Sequence, residues 1–264
     1  MRKEKIYKYK AKKSLGQNFL KSETALRKII EAGEIKENDV ILEIGPGKGA
    51  LTKQLLVSSC QLIAVEKDKN LYELLKSKFQ EEVLSSQLEL VHNDILEFNL
   101  ESYKLLAKSY KLIANIPYNI TGAILKKFLT EKNQPETMVL MVQREVAQRI
   151  LARDEKESIL SISVKAYGEP RMIAKVDKRC FSPAPKVNSA IIAIKNISRK
   201  FFEDNKIDEE KFWEIVKAGF AHKRKKLSSN LKDICQRASL TYLGDKRAED
   251  LSLADWIKLV DLAG

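Results

Sequence analysis

"VILEIGPGKGA", residues 40–50, is a run of strand-forming residues that breaks into three glycines within five positions. The aliphatic side chains of Val40, Ile41, Leu42 and Ile44 suit a strand buried on both faces, as in a parallel sheet. Gly45, Gly47 and Gly49 let the chain turn tightly and let a ligand approach the backbone closely. A strand that turns through glycines into a helix, here 50–57, opens a ligand-binding α/β unit. Gly45-x-Gly47-x-x-Ala50 fits the dinucleotide fingerprint as a pattern, so NAD and an adenosine-bearing cofactor are both open at this point. Pro46 argues mildly against NAD, because it removes one backbone N–H from the turn.

Outward from this turn the pattern repeats. Residues 62–65, 88–91, 112–114 and 138–142 are short apolar runs that end in turn or acidic residues. Helical stretches lie between them, at 70–79 and at 121–130, where Ile124, Leu125, Phe128 and Leu129 form a stripe of helical period. Alternating strands and helices predict an α/β fold with a parallel, doubly wound sheet. Ligands of such sheets sit beyond the carboxyl ends of the strands. After residue 157 the rhythm changes to a helix over 158–167 and strands over 171–176 and 189–195, read as a hairpin closing the sheet's edge. A polar, acidic linker over 203–210 is expected next, and a helical pattern from 211 to the end.

The strand ends hold the unusual residues. Glu66 closes the second strand, 21 positions after Gly45, where a carboxylate can accept from ribose hydroxyls. Asp94 closes the third and can accept from an adenine amine, with Ile95 beside it offering an N–H and an apolar contact. The fourth ends in "NIPYNI", 115–120. An adenine amine is a poor nucleophile because its lone pair is delocalised into the ring. The Asn115 side-chain oxygen and the Ile116 carbonyl can accept its two N–H bonds and favour a tetrahedral nitrogen. Pro117 fixes the backbone that aims that carbonyl, and Tyr118 can stack on the purine. An electron-deficient methyl on a sulfonium then needs neither a metal nor a strong base. The two histidines, His92 and His222, read as surface or strand-edge residues.

Composition points the same way. The 264 residues are 44% hydrophobic, enough for a sizeable core. The net charge of +12 is concentrated in seven Lys/Arg within residues 1–13 and six within 217–232, which suits a polyanionic partner, most simply nucleic acid. Lys223, Arg224, Lys225 and Lys226 are consecutive, so on a helix they cannot share one face. Cys60, Cys180 and Cys235 match no metal spacing and read as reduced thiols of a cytosolic protein. No apolar stretch approaches the roughly 18 residues of a membrane span. The basic N-terminus lacks the apolar core of a signal peptide.

Eight stretches in order, "KSLGQNFL" (13–20), "EIGPGKGALT" (43–52), "VEKD" (65–68), "NDIL" (93–96), "NIPYNI", "MVQREVAQRI" (141–150), "FSPAPKVNSA" (181–190) and "FAHKRKKLSSNL" (220–231), resemble the ribosomal RNA adenine N6-dimethyltransferases. The likeness is to the bacterial small-subunit type. It implies a class I S-adenosylmethionine-dependent methyltransferase, Rossmann-like and mostly parallel, over residues 1–198. A small all-helical domain that contacts RNA or ribosome is implied over 199–264. It also implies S-adenosylmethionine as cofactor, with Gln17, Asn18 and Leu20 at the methionine end and Gly45 and Gly47 beneath it. Glu66 and Lys67 fall at the ribose, Asp94 and Ile95 at the adenine, and Asn115 between cofactor and target. Phe181 is implied to face Tyr118 across a flipped base, and Lys223–Lys226 to bind RNA. Asn18 stands where many relatives have His, and it can still donate a hydrogen bond. The implied reaction is N6,N6-dimethylation of two adjacent adenosines near the 3′ end of small-subunit rRNA, by a cytoplasmic monomer. The alternatives are a large-subunit rRNA adenine methyltransferase conferring macrolide resistance and a non-catalytic RNA-binding assembly or transcription factor. "MVQREVAQR" and the basic tail favour the small-subunit type; intact Glu66 and Asn115–Tyr118 disfavour the non-catalytic one.

Overall fold

The computed structural model describes residues 9–103, 109–234 and 243–262. Residues 1–8 of the N-terminal basic run, and Cys235, lie outside the described residues. The strands are β1 (Phe19–Leu20), β2 (Val40–Ile44), β3 (Gln61–Glu66), β4 (Leu88–His92), β5 (Lys111–Asn115), β6 (Thr137–Gln143), β7 (Glu169–Val176), β8 (Phe181–Ser182) and β9 (Ser189–Lys195). The helices are α1 (Glu23–Gly33), α2 (Ala50–Leu56), α3 (Lys69–Lys78), α4 (Gln80–Leu84), α5 (Thr121–Thr130), α6 (Arg144–Ile150), α7 (Ile159–Lys165), α8 (Lys200–Asn205), α9 (Glu209–Gly219), α10 (Leu227–Asn230) and α11 (Leu253–Leu262).

Seven strands form one sheet in the order β4-β3-β2-β5-β6-β9-β7. The β4 to β6 part is parallel, and β9 and β7 add antiparallel at the far edge. Every residue of β2 is buried, Glu43 included, as its otherwise aliphatic run favours. Two apolar clusters pack the sheet's opposite faces: Leu42, Ile44, Leu112 and Leu140 contribute to one, Ile41, Ile113, Val139 and Met141 to the other. Strand order reverses at β2, which has β3 on one side and β5 on the other. The loops leaving β2 and β5 therefore meet at the switch point, the crevice where such sheets hold ligands.

Two expectations need correction. The acidic stretch 203–210 is not a linker: α8 runs to Asn205 and α9 starts at Glu209. Phe201 and Phe202 drive this, packing edge-on against Phe212, with Ile207 buried beside them while most of the charged residues stay exposed. Nor does the chain stay helical from 211. Residues 220–226 form a turn between α9 and α10, held by Lys225 N–H to the His222 carbonyl at 3.0 Å. The late hairpin is as expected, with β7 and β9 antiparallel at the sheet's edge, and β8, in the loop between them, pairs with β1.

The C-terminal helices are bolted to the sheet unit. The Tyr167 ring stacks on Trp213, whose Nε1 donates to the Tyr167 hydroxyl at 3.1 Å. Arg199 donates to Glu209 at 3.0 Å and to the carbonyls of Thr130 and Glu131, joining α9 to the end of α5. Among the described residues no helix is long and apolar enough to cross a membrane.

Candidate active site

One cavity of about 480 Å³ opens over the ends of β2, β3 and β5. Gln17, Asn18, Leu20, Gly45, Gly47, Glu66, Lys67, Asp94, Ile95, Asn115, Ile116, Pro117 and Tyr118 all line it. Residues from five separate sequence stretches thus converge on one place.

The glycine turn forms its floor. Gly45 and Gly47 adopt left-handed backbone, with φ +63° and +61°. A side-chain carbon at Gly45 would meet nothing within 4 Å, so the turn leaves open space for a ligand against the backbone. At Gly47 the same carbon would approach the Phe19 ring at 3.1 Å, because that ring lies across the turn. Glu66 is buried and braces the floor from the next strand. Its Oε2 accepts from Gly47 N–H at 3.0 Å and its Oε1 from Asp68 N–H at 2.8 Å. Burial pushes this carboxyl up, against the pull of those two N–H groups. Each oxygen keeps a lone pair for a ligand hydroxyl.

Asp94 is held differently. Its partial burial acts to raise the carboxyl, but the Lys67 ammonium and the Leu96 N–H outweigh this and hold it below the usual range. Lys67 is therefore engaged with Asp94, although both border the cavity. The Ile95 side chain is buried beneath.

The target end is built by the loop after β5. Asn115 Nδ2 donates to the Asn18 carbonyl at 3.2 Å, which fixes the amide and leaves Oδ1 as its free acceptor. The carbonyls of Pro117 and Tyr118 are taken by Ile120 N–H and the Thr121 hydroxyl. That of Ile116 takes no backbone hydrogen bond among the described residues. Pro117 sits at φ −60°, where its ring locks it. Tyr118 is half-buried, and its hydroxyl meets the Ser189 Oγ at 2.5 Å. Burial pushes the phenol up, against that hydrogen bond.

Phe181 is placed differently from the expectation. It is 2% exposed, packed in the core cluster with Leu20 and Val176, and its neighbour Ser182 lines the cavity instead. The β1–β8 pairing explains this: in the register Leu20–Phe181 the ring faces inward. Gln17 also serves a purpose its sequence did not announce. Its Oε1 accepts from Lys12 N–H at 2.7 Å, and its Nε2 reaches Asp68 Oδ2 at 3.3 Å. Tyr9 and Lys12 close on the same Asp68 oxygen at 2.7 Å each. Burial acts to raise Asp68, but Lys12, Tyr9 and the α3 N-terminal amides bring it down to about 2. This clasp ties residues 9–17 over the end of β3.

Glu43 is the lining residue that sequence reasoning passed over. It is 1% exposed, accepts from the Thr52 hydroxyl at 2.8 Å, and burial pushes its carboxyl up to about 8. An acid inside an otherwise aliphatic strand, directly before the glycines, was the available signal. The four basic residues 223–226 are exposed and do not line the cavity, and Lys226 is paired with Asp245 at 2.7 Å. Asn230 Nδ2 holds their turn by donating to the carbonyls of Gly219 and His222 at 2.6 and 3.2 Å. His92 and His222 are both exposed, His92 at the end of the edge strand β4.

Among solved structures, a dimethyladenosine transferase from Plasmodium falciparum superposes with a TM-score of 0.77 at 26% identity, covering 91% of this chain and 95% of that one. The 23S rRNA methyltransferase ErmE gives 0.75 at 25% identity, covering 93% and 99%. Fold and site together define a Rossmann-like methyltransferase, a class that draws its methyl group from S-adenosylmethionine. The family described as ribosomal RNA adenine dimethylase matches residues 8–263, and the chain belongs to that family. Ribosomal RNA small subunit methyltransferase A of Dehalococcoides mccartyi (strain CBDB1) is 40% identical over 262 residues, covering 96% of this chain and 88% of that protein. Its counterpart in Fusobacterium nucleatum subsp. nucleatum is 38% identical over 270 residues, covering 96% and 98%.

Proposed function

We propose that this enzyme transfers methyl groups to N6 of two adjacent adenosines near the 3′ end of small-subunit rRNA, giving N6,N6-dimethyladenosine during small-subunit assembly. The relatives at 38–40% identity carry the small-subunit description and cover nearly the whole chain, which favours this target over large-subunit RNA. Gly45, Gly47, Glu66, Asp94 and Ile95 would hold S-adenosylmethionine, with Asn18 and Leu20 at its methionine end. The open space over Gly45 and the acids at neighbouring strand ends fit such a ligand. Bound there, S-adenosylmethionine supplies an electrophilic methyl group on sulfur.

One observation carries the catalytic assignment: Asn115 gives its N–H to Asn18, so its Oδ1 is the group left to face an incoming amine. Oδ1 and the Ile116 carbonyl accept the two N–H bonds of the adenine amine. The nitrogen lone pair is thereby drawn out of the ring, and these acceptors are strongest where positive charge develops on nitrogen. Pro117 keeps the Ile116 carbonyl aimed. Tyr118 stacks on the purine, its ring held by Ser189. Phe181 anchors the loop that carries Ser182. Residues 1–198 form the catalytic unit and 199–264 the helical unit that contacts RNA through Lys223, Arg224, Lys225 and Lys226. The enzyme works as a monomer, in the cytoplasm with the assembling subunit.

The test is transfer of labelled methyl groups to small subunits that lack the modification, followed by nucleoside analysis. Dimethyladenosine in small-subunit rRNA, with large-subunit RNA unlabelled, is the expected result. Label confined to large-subunit RNA would move the enzyme to the macrolide-resistance type, and no label with any RNA would make it a binding protein.

A further inference from the structure

A second cavity, about 390 Å³, lies between the start of α6 and the loop that precedes β9. Arg144, Lys178 and Lys186 line it against one acid, Glu145. Among the described residues none of the three cations is in an ion pair. Three unpaired cations converging on one cleft favour an anion there.

The cleft is linked to the target end of the active site through neighbouring residues of one loop. Arg144 N–H donates to the Asn188 carbonyl at 3.0 Å, and Asn188 Oδ1 accepts from Lys178 N–H at 3.0 Å. The next residue, Ser189, holds the Tyr118 hydroxyl. The loop from Ser182 to Ser189 therefore borders both cavities: Ser182 lines the first, Lys186 and Asn188 the second. Beside the cations, Val187 is 46% exposed and offers an apolar contact.

We propose that this cleft seats the RNA strand directly flanking the adenosine being methylated, with Arg144, Lys178 and Lys186 on its phosphates. The inference rests on the RNA-methylating function proposed above. A flipped nucleotide remains bonded to its neighbours, so its backbone must leave the Tyr118 pocket along some surface. This cleft is the cationic surface that shares the pocket's own loop. The cations here position the strand, and the chemistry stays with Asn115.

The test is the combined variant R144Q/K178Q/K186Q, assayed on whichever RNA the unmodified enzyme methylates. KM for RNA should rise about tenfold or more, with kcat and S-adenosylmethionine affinity retained. The slope of log affinity against log salt should flatten by about 2, from roughly 0.7 per lost phosphate contact on a single strand. The charge-preserving K178R/K186R should behave as the parent. In a second arm, a photo-crosslinking amino acid at Val187 should mark the nucleotides flanking the target. Unchanged KM and salt slope, a loss of kcat alone, or crosslinks only at distant nucleotides would each overturn the proposal. Failure of the unmodified enzyme to methylate small-subunit RNA is a separate result, which bears on the function and not on the cleft.

Discussion

Gly45→Ala separates the cofactor cradle from the fold. The residue sits at φ +63°, where an L-residue costs about 1–2 kcal/mol. The new methyl would meet no atom within 4 Å, so no packing penalty is added. At about 2–4 °C per kcal/mol for a chain of this size, the melting temperature should fall by roughly 2–8 °C. The methyl projects into the space assigned to the cofactor, so affinity for S-adenosylmethionine should fall at least about tenfold, or roughly 1.4 kcal/mol. Gly49→Ala is the control. Its φ is +75°, and its methyl would come within 2.5 Å of the Phe79 ring and 2.9 Å of Leu75. Overpacking adds about 1–3 kcal/mol to the same backbone cost. Gly49→Ala should therefore lose more stability than Gly45→Ala and, where folded, keep more of its affinity. Calorimetric titration and thermal denaturation of both variants read the two quantities. A folded Gly45→Ala protein that binds S-adenosylmethionine as tightly as the parent would refute the cradle.

Asn115→Ala should fold and bind cofactor while losing about 10²-fold or more in single-turnover methylation, because its acceptor matters most as charge develops. Tyr118→Phe should keep stacking and most activity, whereas Tyr118→Ala should lose the roughly 1–3 kcal/mol of a stacked base; equal rates for the two would remove the stacking role. Glu43 has a folded pKa of about 8, above the usual carboxyl value, so the unfolded chain ionises first as pH rises and stability falls through that window. Glu43→Gln should flatten this slope, giving the variant a relative gain at pH 8 over pH 5 in denaturant titrations. Replacing Lys223, Arg224 and Lys225 with Gln should weaken binding to small subunits and flatten its salt dependence without changing cofactor affinity, measured by titration at several salt concentrations.

The parallel sheet was legible because its strands are buried on both faces and so carry mostly aliphatic runs; β2 and β9 fall where the pattern put them. The site was legible because each strand end carries a residue out of place in a plain turn, and the sheet gathers strand ends at one edge. Helix limits near 203–226 were less so. Acidic residues at 208–210 look like a linker, yet Asp208 caps α9 by accepting from Lys211 N–H at 2.8 Å, and the acids favour the helix N-terminus. The basic run 223–226 has the composition of a helix but lies in a turn held by Asn230, whose reach back to Gly219 and His222 is a tertiary fact. Phe181 was misplaced for a related reason. Its motif marks it as aromatic near the site, but only its register with Leu20 decides which way the ring points.

The clasp at Asp68 shows what motif reading alone omits. "VEKD" ends β3 with two acids two positions apart, and they divide the labour. Glu66 turns to the glycine floor, and Asp68 turns to Tyr9, Lys12 and Gln17. They remain joined, because Glu66 Oε1 accepts the Asp68 N–H. Asn18, immediately after Gln17 in this clasped segment, gives its carbonyl to Asn115 Nδ2. A continuous set of hydrogen bonds and chain links therefore runs from the cofactor floor, through the N-terminal segment, to the acceptor that addresses the target amine. The cofactor end and the target end are braced through residues 9–18 as well as through the sheet.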